Sequence, residues 1–208
     1  MTSEPWADAQ ARRIGETVKS LRGKQSAQWL SDRTAELGHR VSRSTISEIE
    51  TARRKTVTTA ELTALAWSLK VPPVRLLFPD LPGGRVEIVS GETYESATAM
   101  MWFSGETTFQ PDILKAGWDE KPEAERMEDL AEVRSVTDGA KLVDLARQQK
   151  HTESEIERLT AVANRMQASD QPELASTFVN EIAGKQAYLA YLDKEIRMTP
   201  GAVVDDGR

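Results

Sequence analysis

The chain has 208 residues, 29% of them charged and 39% hydrophobic, which is typical of a polar, helix-rich protein rather than of a large buried sheet. It has no Cys and only two His, so disulfides, thiol catalysis and zinc fingers are excluded, and neither a histidine metal site nor a cofactor is expected. The net charge of −6 is uneven: residues 1–80 carry 13 basic and 9 acidic side chains, and residues 81–208 carry 14 and 24. This asymmetry is either chance variation or the mark of a nucleic-acid-facing domain joined to an acidic module.

Residues 1–80 are predicted to form a domain of four helices and a short closing segment. Ser42 is placed to cap the third helix, and Thr58 with Glu61 forms a capping box before the fourth. Two prolines stop the fourth helix, and the Pro- and Gly-rich residues 79–84 are typical of a linker. The apolar positions at helical spacing are Ile14, Val18 and Leu21; Ala27, Leu30 and Leu37; Ile46 and Ile49; and Leu62, Leu65, Ala66 and Leu69.

Residues 81–122 are predicted to be a linker and a short connecting segment. Within them, residues 85–89 alternate weakly like a strand, and residues 97–103 fit one or two helical turns. The apolar cluster in those turns is interpreted as local core in preference to a ligand pocket.

Residues 123–199 are predicted to form an antiparallel helical hairpin, and residues 200–208 a flexible tail. Two stripes recur in steps of three and four, and residues 170–173 between them supply a cap, a proline and an acid. A second helix start at His151 is an alternative for the first arm. The expected fold is therefore all-α, with at most a short β segment near 85–90. The stripes are Leu142, Leu145, Gln149, Thr152, Ile156, Leu159, Ala163 and Met166, then Leu174, Phe178, Ile182, Leu189, Leu192 and Ile196.

The segments SRSTISEIETARR (42–54) and LTALAWSLKVP (62–72) contain, in order, a capped helix, an Ile-Ser-x-Ile-Glu pattern, a basic turn and a following helix that ends in Leu-x-Val. In this pattern, residues 14–78 resemble the phage-repressor/Cro type of helix-turn-helix, the Xre family. The resemblance implies that residues 42–52 form a recognition helix that enters the major groove of double-stranded DNA.

The base-reading positions follow from which side chains of this helix point outward. Because Ile46 and Ile49 must turn inward, the outward residues are Arg43, Ser44, Ser47 and Glu48. Arg43 is the best candidate for direct readout, since its guanidinium can bond guanine O6 and N7 together. The two serines specify weakly. Glu48 either accepts from a cytosine amino group or is a solvated helix charge.

The resemblance also implies phosphate contacts and an internal ion pair. In the family an acid at Glu50 pairs with an Arg of the first helix, here Arg22, and supports the recognition helix. The basic turn has the alternative reading of a solvated loop. The residues assigned to phosphate are Ser26, Arg40, Thr45, Arg53, Arg54 and Lys55.

Two departures from the family pattern affect these assignments. The turn before Ser42, residues 38–41, is about two residues longer than usual, while the loop at residues 23–25 is correspondingly short. The usual Gly after the recognition helix is Ala52. The predicted contacts are therefore open to a shift of a residue or half a helical turn.

The expected function is a sequence-specific transcriptional regulator, with repression as the expected mode, that acts as a homodimer through residues 123–198. The alternative is an antitoxin-like or other interaction regulator whose acidic C-terminal helices bind a protein partner. No enzyme activity is expected, because residues 82–84 lack the strand, spacing and Lys of a phosphate-binding loop. No apolar run approaches the ~20 residues of a membrane span, and no secretion signal is visible. We therefore expect a cytoplasmic, nucleoid-associated protein that does not bind membranes.

Overall fold

The computed structural model describes residues 4–107, 118–169 and 172–204. The chain divides into two compact units, residues 1–107 and residues 108–208. The described residues form eight α-helices, one short 3₁₀-helix and a two-stranded antiparallel sheet. This confirms the predicted all-α class with a short β segment and a C-terminal helical hairpin.

Five helices fill the first eighty residues of the N-terminal unit. Capping side chains set three of the starts: Ser26 and Ser42 accept from the backbone N–H three residues on, and Thr58 forms a capping box with Glu61. The predicted apolar stripes supply most of the core, although Leu21 and Leu37 are exposed. The helices are α1 (Trp6–Arg22), α2 (Ala27–Glu36), α3 (Arg43–Glu50), α4 (Thr59–Ser68) and α5 (Val74–Leu77).

A β-hairpin and a sixth helix complete this unit. Strands β1 (Arg85–Val89) and β2 (Glu92–Glu95) pair antiparallel, and α6 (Ser96–Phe103) follows directly. Strand β1 contacts α1, and the rings of Phe78 and Phe103 meet edge to face at 5.8 Å. The strand expected at residues 85–89 and the helical turns expected at residues 97–103 are therefore both present in this unit. The whole N-terminal unit, residues 1–107, carries 14 basic and 13 acidic side chains. Its excess of positive charge therefore lies within residues 1–80.

The C-terminal unit is built on one long helix and a shorter antiparallel one. After a 3₁₀-helix (Trp118–Glu120), α7 (Glu123–Ala168) continues through His151 without a second start, and α8 (Pro172–Met198) packs back along it. The predicted faces meet: Leu145, Leu192 and Ile196 form a buried cluster that Ala202 of the following segment also contacts. The predicted cap at residues 170 and 171 and the tail at 205–208 lie outside the described residues.

Polar pairs fix the register of α7 against α8. Lys185 Nζ lies 2.6 Å from Glu155 Oε2, and Gln149 Nε2 donates to Asp193 Oδ1 at 2.5 Å.

Over the part of the chain that the structure describes, no helix combines the length and apolar character that a bilayer span requires.

Candidate nucleic-acid interface

The N-terminus of α3 is held by a small hydroxyl network. Ser42 Oγ accepts a hydrogen bond from the Thr45 N–H at 3.0 Å and lies 2.8 Å from both Ser44 Oγ and Thr45 Oγ1. These bonds satisfy an otherwise unpaired amide of the first turn and fix the hydroxyls relative to the backbone. Thr45 is half-buried and Ser44 is exposed.

One face of α3 is buried and the other is open. Ile46 and Ile49 are 0% and 1% exposed. The spacing of three residues between them puts both isoleucines on one face and leaves the opposite face of this two-turn helix outward. The exposed residues are Arg43, Ser44, Ser47 and Glu48. The four side chains that the sequence predicts to read bases therefore lie on the exposed part of one short helix.

The long turn before α3 has its own anchor. Thr34 is fully buried at the end of α2; its Oγ1 accepts from the Val41 N–H at 2.9 Å and donates to the Ser31 carbonyl at 2.9 Å. Val41 is itself buried. The side chain of Thr34 in α2 thus fixes the C-terminal end of this turn at Val41. The additional residues of the turn lie in its exposed part, residues 38–40.

Helix α1 supports α3 through a close backbone approach at Gly15. A Cβ atom at this position would lie 2.1 Å from the Ile49 carbonyl oxygen and 2.8 Å from the Ile49 carbonyl carbon. Only a residue without a side chain permits that distance. Gly15 therefore determines how near α1 comes to the C-terminal turn of α3, a role that the sequence analysis missed.

An ion pair joins the same two helices. Arg22 Nε donates to Glu50 Oε1 at 2.7 Å and Arg22 Nη2 donates to Glu50 Oε2 at 2.7 Å, so the contact is bidentate. The side chains are only 14% and 7% exposed. The hydrogen bond to Glu50 raises the pKa of Arg22 further above its ordinary value. The structure thus joins the two residues that the resemblance pairs.

The C-terminus of α3 ends in a Schellman motif. The Arg53 N–H donates to the Glu48 carbonyl at 2.9 Å and the Ala52 N–H donates to the Ile49 carbonyl at 3.1 Å. Ala52 has a φ of 54°, the left-handed conformation that the family's usual Gly adopts without strain. The departure in sequence therefore keeps the backbone geometry, and this geometry sets the start of the basic turn at Arg53.

The three cations of the basic turn have different surroundings. Arg53 is exposed and makes no ion pair within the described residues. Arg54 Nη1 donates to Glu61 Oε1 at 2.6 Å, and Lys55 Nζ lies 3.0 Å from Asp8 Oδ2. Arg53 is therefore the member of this group with the least competition for a phosphate.

Glu61 has two functions in this region. Burial acts to raise its pKa, but the hydrogen bonds from the Thr58 N–H and from Arg54 outweigh that effect and leave the pKa below its ordinary value. The carboxylate therefore stays ionised, caps α4 and holds Arg54. The resemblance assigns Arg54 to phosphate and does not indicate that Glu61 competes with phosphate for it.

The remaining phosphate candidates are both exposed. Ser26 Oγ accepts from the Trp29 N–H at 3.0 Å, so its hydroxyl caps α2. Arg40 Nη1 lies 3.4 Å from Asp32 Oδ1 with both side chains more than half exposed, a weak pair that leaves Arg40 able to reorient.

No protein-family model, curated protein or solved structure matches this chain.

Proposed function

We propose that the protein is a sequence-specific, double-stranded DNA-binding transcriptional regulator, acting as a repressor in the cytoplasm at the nucleoid. The observation that carries the proposal is α3: a short capped helix with two buried isoleucines and four exposed polar residues, fixed to α1 by Gly15 and by the Arg22–Glu50 pair. A helix held in this way fits the major groove and presents its N-terminal residues to base edges. The protein is expected to act by binding and not by catalysis.

Arg43→Ala and Arg53→Ala are expected to separate base reading from phosphate binding. Loss of Arg43 is expected to cost about 1–3 kcal/mol on the selected duplex and to relax preference at one base pair, because a bidentate contact to guanine is lost. Loss of Arg53 is expected to weaken binding to all sequences alike and to reduce the salt slope by about one. Fluorescence anisotropy with selected and scrambled duplexes over a salt series measures both effects.

Arg54→Ala is the comparison for Arg53→Ala. Because Arg54 is engaged by Glu61, its loss is expected to change the salt slope less than loss of Arg53 does. Direct readout by Arg43 is refuted if its removal weakens selected and scrambled duplexes equally.

The proposed homodimer forms through the C-terminal unit. Helix α7 has 46 residues and α8 has 27, so at 1.5 Å per residue α7 is longer by roughly 28 Å. Val133, Val136, Ala140 and Val143 recur at steps of three, four and three, the spacing of a coiled-coil seam, and are half-buried or exposed. They lie on the side of α7 away from the stripe that packs on α8. A second copy would cover this seam and bring two recognition helices into one molecule.

Changing both Val136 and Val143 to Glu is expected to weaken dimerisation about tenfold or more, because two-fold pairing would bring unpaired charges together in an apolar seam. Sedimentation equilibrium measures the dimer constant. Ser135→Glu with Ala146→Glu adds the same charge at exposed positions outside the seam and is expected to leave that constant unchanged.

Sedimentation equilibrium, together with the proteins that co-purify with the chain, separates the homodimer from the antitoxin-like alternative. The C-terminal unit, residues 108–208, carries 13 basic and 20 acidic side chains, a composition that also suits a basic protein partner. A monomeric chain that co-purifies with a stoichiometric basic protein would replace the homodimer by the antitoxin-like regulator.

A further inference from the structure

The N-terminal unit contains a cleft that is lined by arginines and is not part of the recognition surface. It has a volume of about 470 Å³ and lies between α1 and the chain from α5 to the start of β1. None of its lining residues belongs to α2, α3 or the basic turn. The charged residues that line it are Arg12, Arg13, Arg75, Arg85, Glu16 and Asp80.

Arg13 is incompletely paired. Its Nε donates to the Leu77 carbonyl at 3.0 Å, but its Nη2 is buried and has no hydrogen-bond partner within the described residues. Burial lowers the pKa of the Arg13 guanidinium below its usual range, and the attraction of the Asp80 carboxylate offsets only part of this effect. A buried N–H normally has a hydrogen-bond partner, so the Nη2 group of the partly buried Arg13 is available to donate to an anion in the cleft.

The other arginines leave the cleft with excess positive charge. Arg75 donates through Nη1 to the Pro79 carbonyl, and Arg85 donates through Nη2 to the Thr93 carbonyl at 3.1 Å. Backbone carbonyls orient these guanidinium groups without neutralising them. Arg12 is paired with Glu16 at 3.1 Å, so the carboxylate of Glu16 is already occupied.

We propose that this cleft binds a small organic or inorganic anion that carries a carboxylate or phosphate group, held by Arg13, Arg75 and Arg85. Guanidinium forks recognise both groups through paired N–H donors, and the volume is in the range of small-molecule sites. The site does not depend on DNA recognition. Because α1 carries Arg13 and also the Gly15 contact with α3, anion binding stabilises the helix that supports the recognition helix.

The test is calorimetric titration of the full chain with sodium citrate and with sodium phosphate, at ionic strength matched with sodium chloride. The expected result is saturable binding of one equivalent of citrate or phosphate, with a rise in the unfolding temperature beyond that in chloride. The two arms distinguish a carboxylate ligand from a phosphate ligand.

Substitutions inside and outside the cleft test whether the anion binds there. Arg75→Gln with Arg85→Gln is expected to weaken binding roughly tenfold to a hundredfold, the effect of losing charge-assisted hydrogen bonds, and Arg13→Gln is a second variant in case the first unfolds. Lys19→Gln with Lys24→Gln removes the same charge at exposed positions outside the cleft and is expected to bind like the wild type.

Two results would overturn the proposal. One is an absence of saturable binding of either anion up to millimolar concentration when ionic strength is matched. The other is that the Arg75/Arg85 variant loses affinity for random duplexes and part of the salt slope while anion titrations stay unchanged, since the cleft would then contact the DNA backbone.

Discussion

Glu50→Ala is expected to destabilise the N-terminal unit by about 3–5 kcal/mol, because it leaves the Arg22 guanidinium nearly buried without its carboxylate. Specific DNA affinity is expected to fall as well, since the pair fixes the last turn of α3 to α1. Urea unfolding followed by tryptophan fluorescence measures the stability; four of the five tryptophans lie in residues 1–107.

Two controls show whether the effect comes from an uncompensated charge. Replacing both partners, Arg22→Met with Glu50→Leu, is expected to recover most of the lost stability, because apolar side chains of similar size can occupy the same volume. Arg12→Ala removes two exposed ion pairs, to Glu4 and Glu16, and is expected to cost less than about 1 kcal/mol. If Glu50→Ala and Arg12→Ala lower the free energy of unfolding equally, the buried Arg22–Glu50 pair contributes no more to stability than an exposed ion pair.

Gly15→Ala is expected to cost about 1–3 kcal/mol or more and to displace the recognition helix. The added Cβ would lie 2.1 Å from a backbone oxygen of Ile49, so no rotamer change relieves the contact and α1 must move away from α3. We therefore expect lower stability, faster amide exchange in α3 and weaker binding to the selected duplex.

Gly184→Ala is the matched control, because it makes the same change inside α8, where an added Cβ meets no atom within 4 Å. An Ala there is expected to stabilise the helix by roughly 0.5–1 kcal/mol. A Gly15→Ala protein as stable as the wild type, with unchanged amide exchange in α3 and unchanged DNA affinity, would show that Gly15 does not set the position of the recognition helix.

The sequence predicts well those features of this chain that depend on local interactions, such as helix capping and the buried face of a helix. Capping by Ser42 needs only a hydroxyl followed by free amides, and the inward turn of Ile46 and Ile49 needs only the helical repeat. The eight hairpin positions predicted on α7 follow the same repeat, and all are buried or half-buried. These features depend on residues within a few positions of one another.

The interactions that sequence reasoning missed join residues distant along the chain. Gly15 stands inside an apolar helical stripe, which hints at a close approach but does not identify Ile49 as the neighbour. Arg54 and Lys55 look equivalent to Arg53 in the sequence, yet Glu61 and Asp8 engage them. Strand β2 was missed because it has only four residues and, unlike those of β1, its side chains do not alternate between buried and exposed.

Selection of bound sequences from random DNA duplexes by the full chain, at a stated salt concentration, measures whether the protein reads DNA sequence. We expect enrichment of one sequence made of two half-sites related by a twofold axis and centred about one helical turn, roughly 34 Å, apart. Arg43→Ala is expected to lose preference at one position in each half-site. Recovery of a pool no different from the starting library would show that the protein is not a sequence-specific DNA-binding protein.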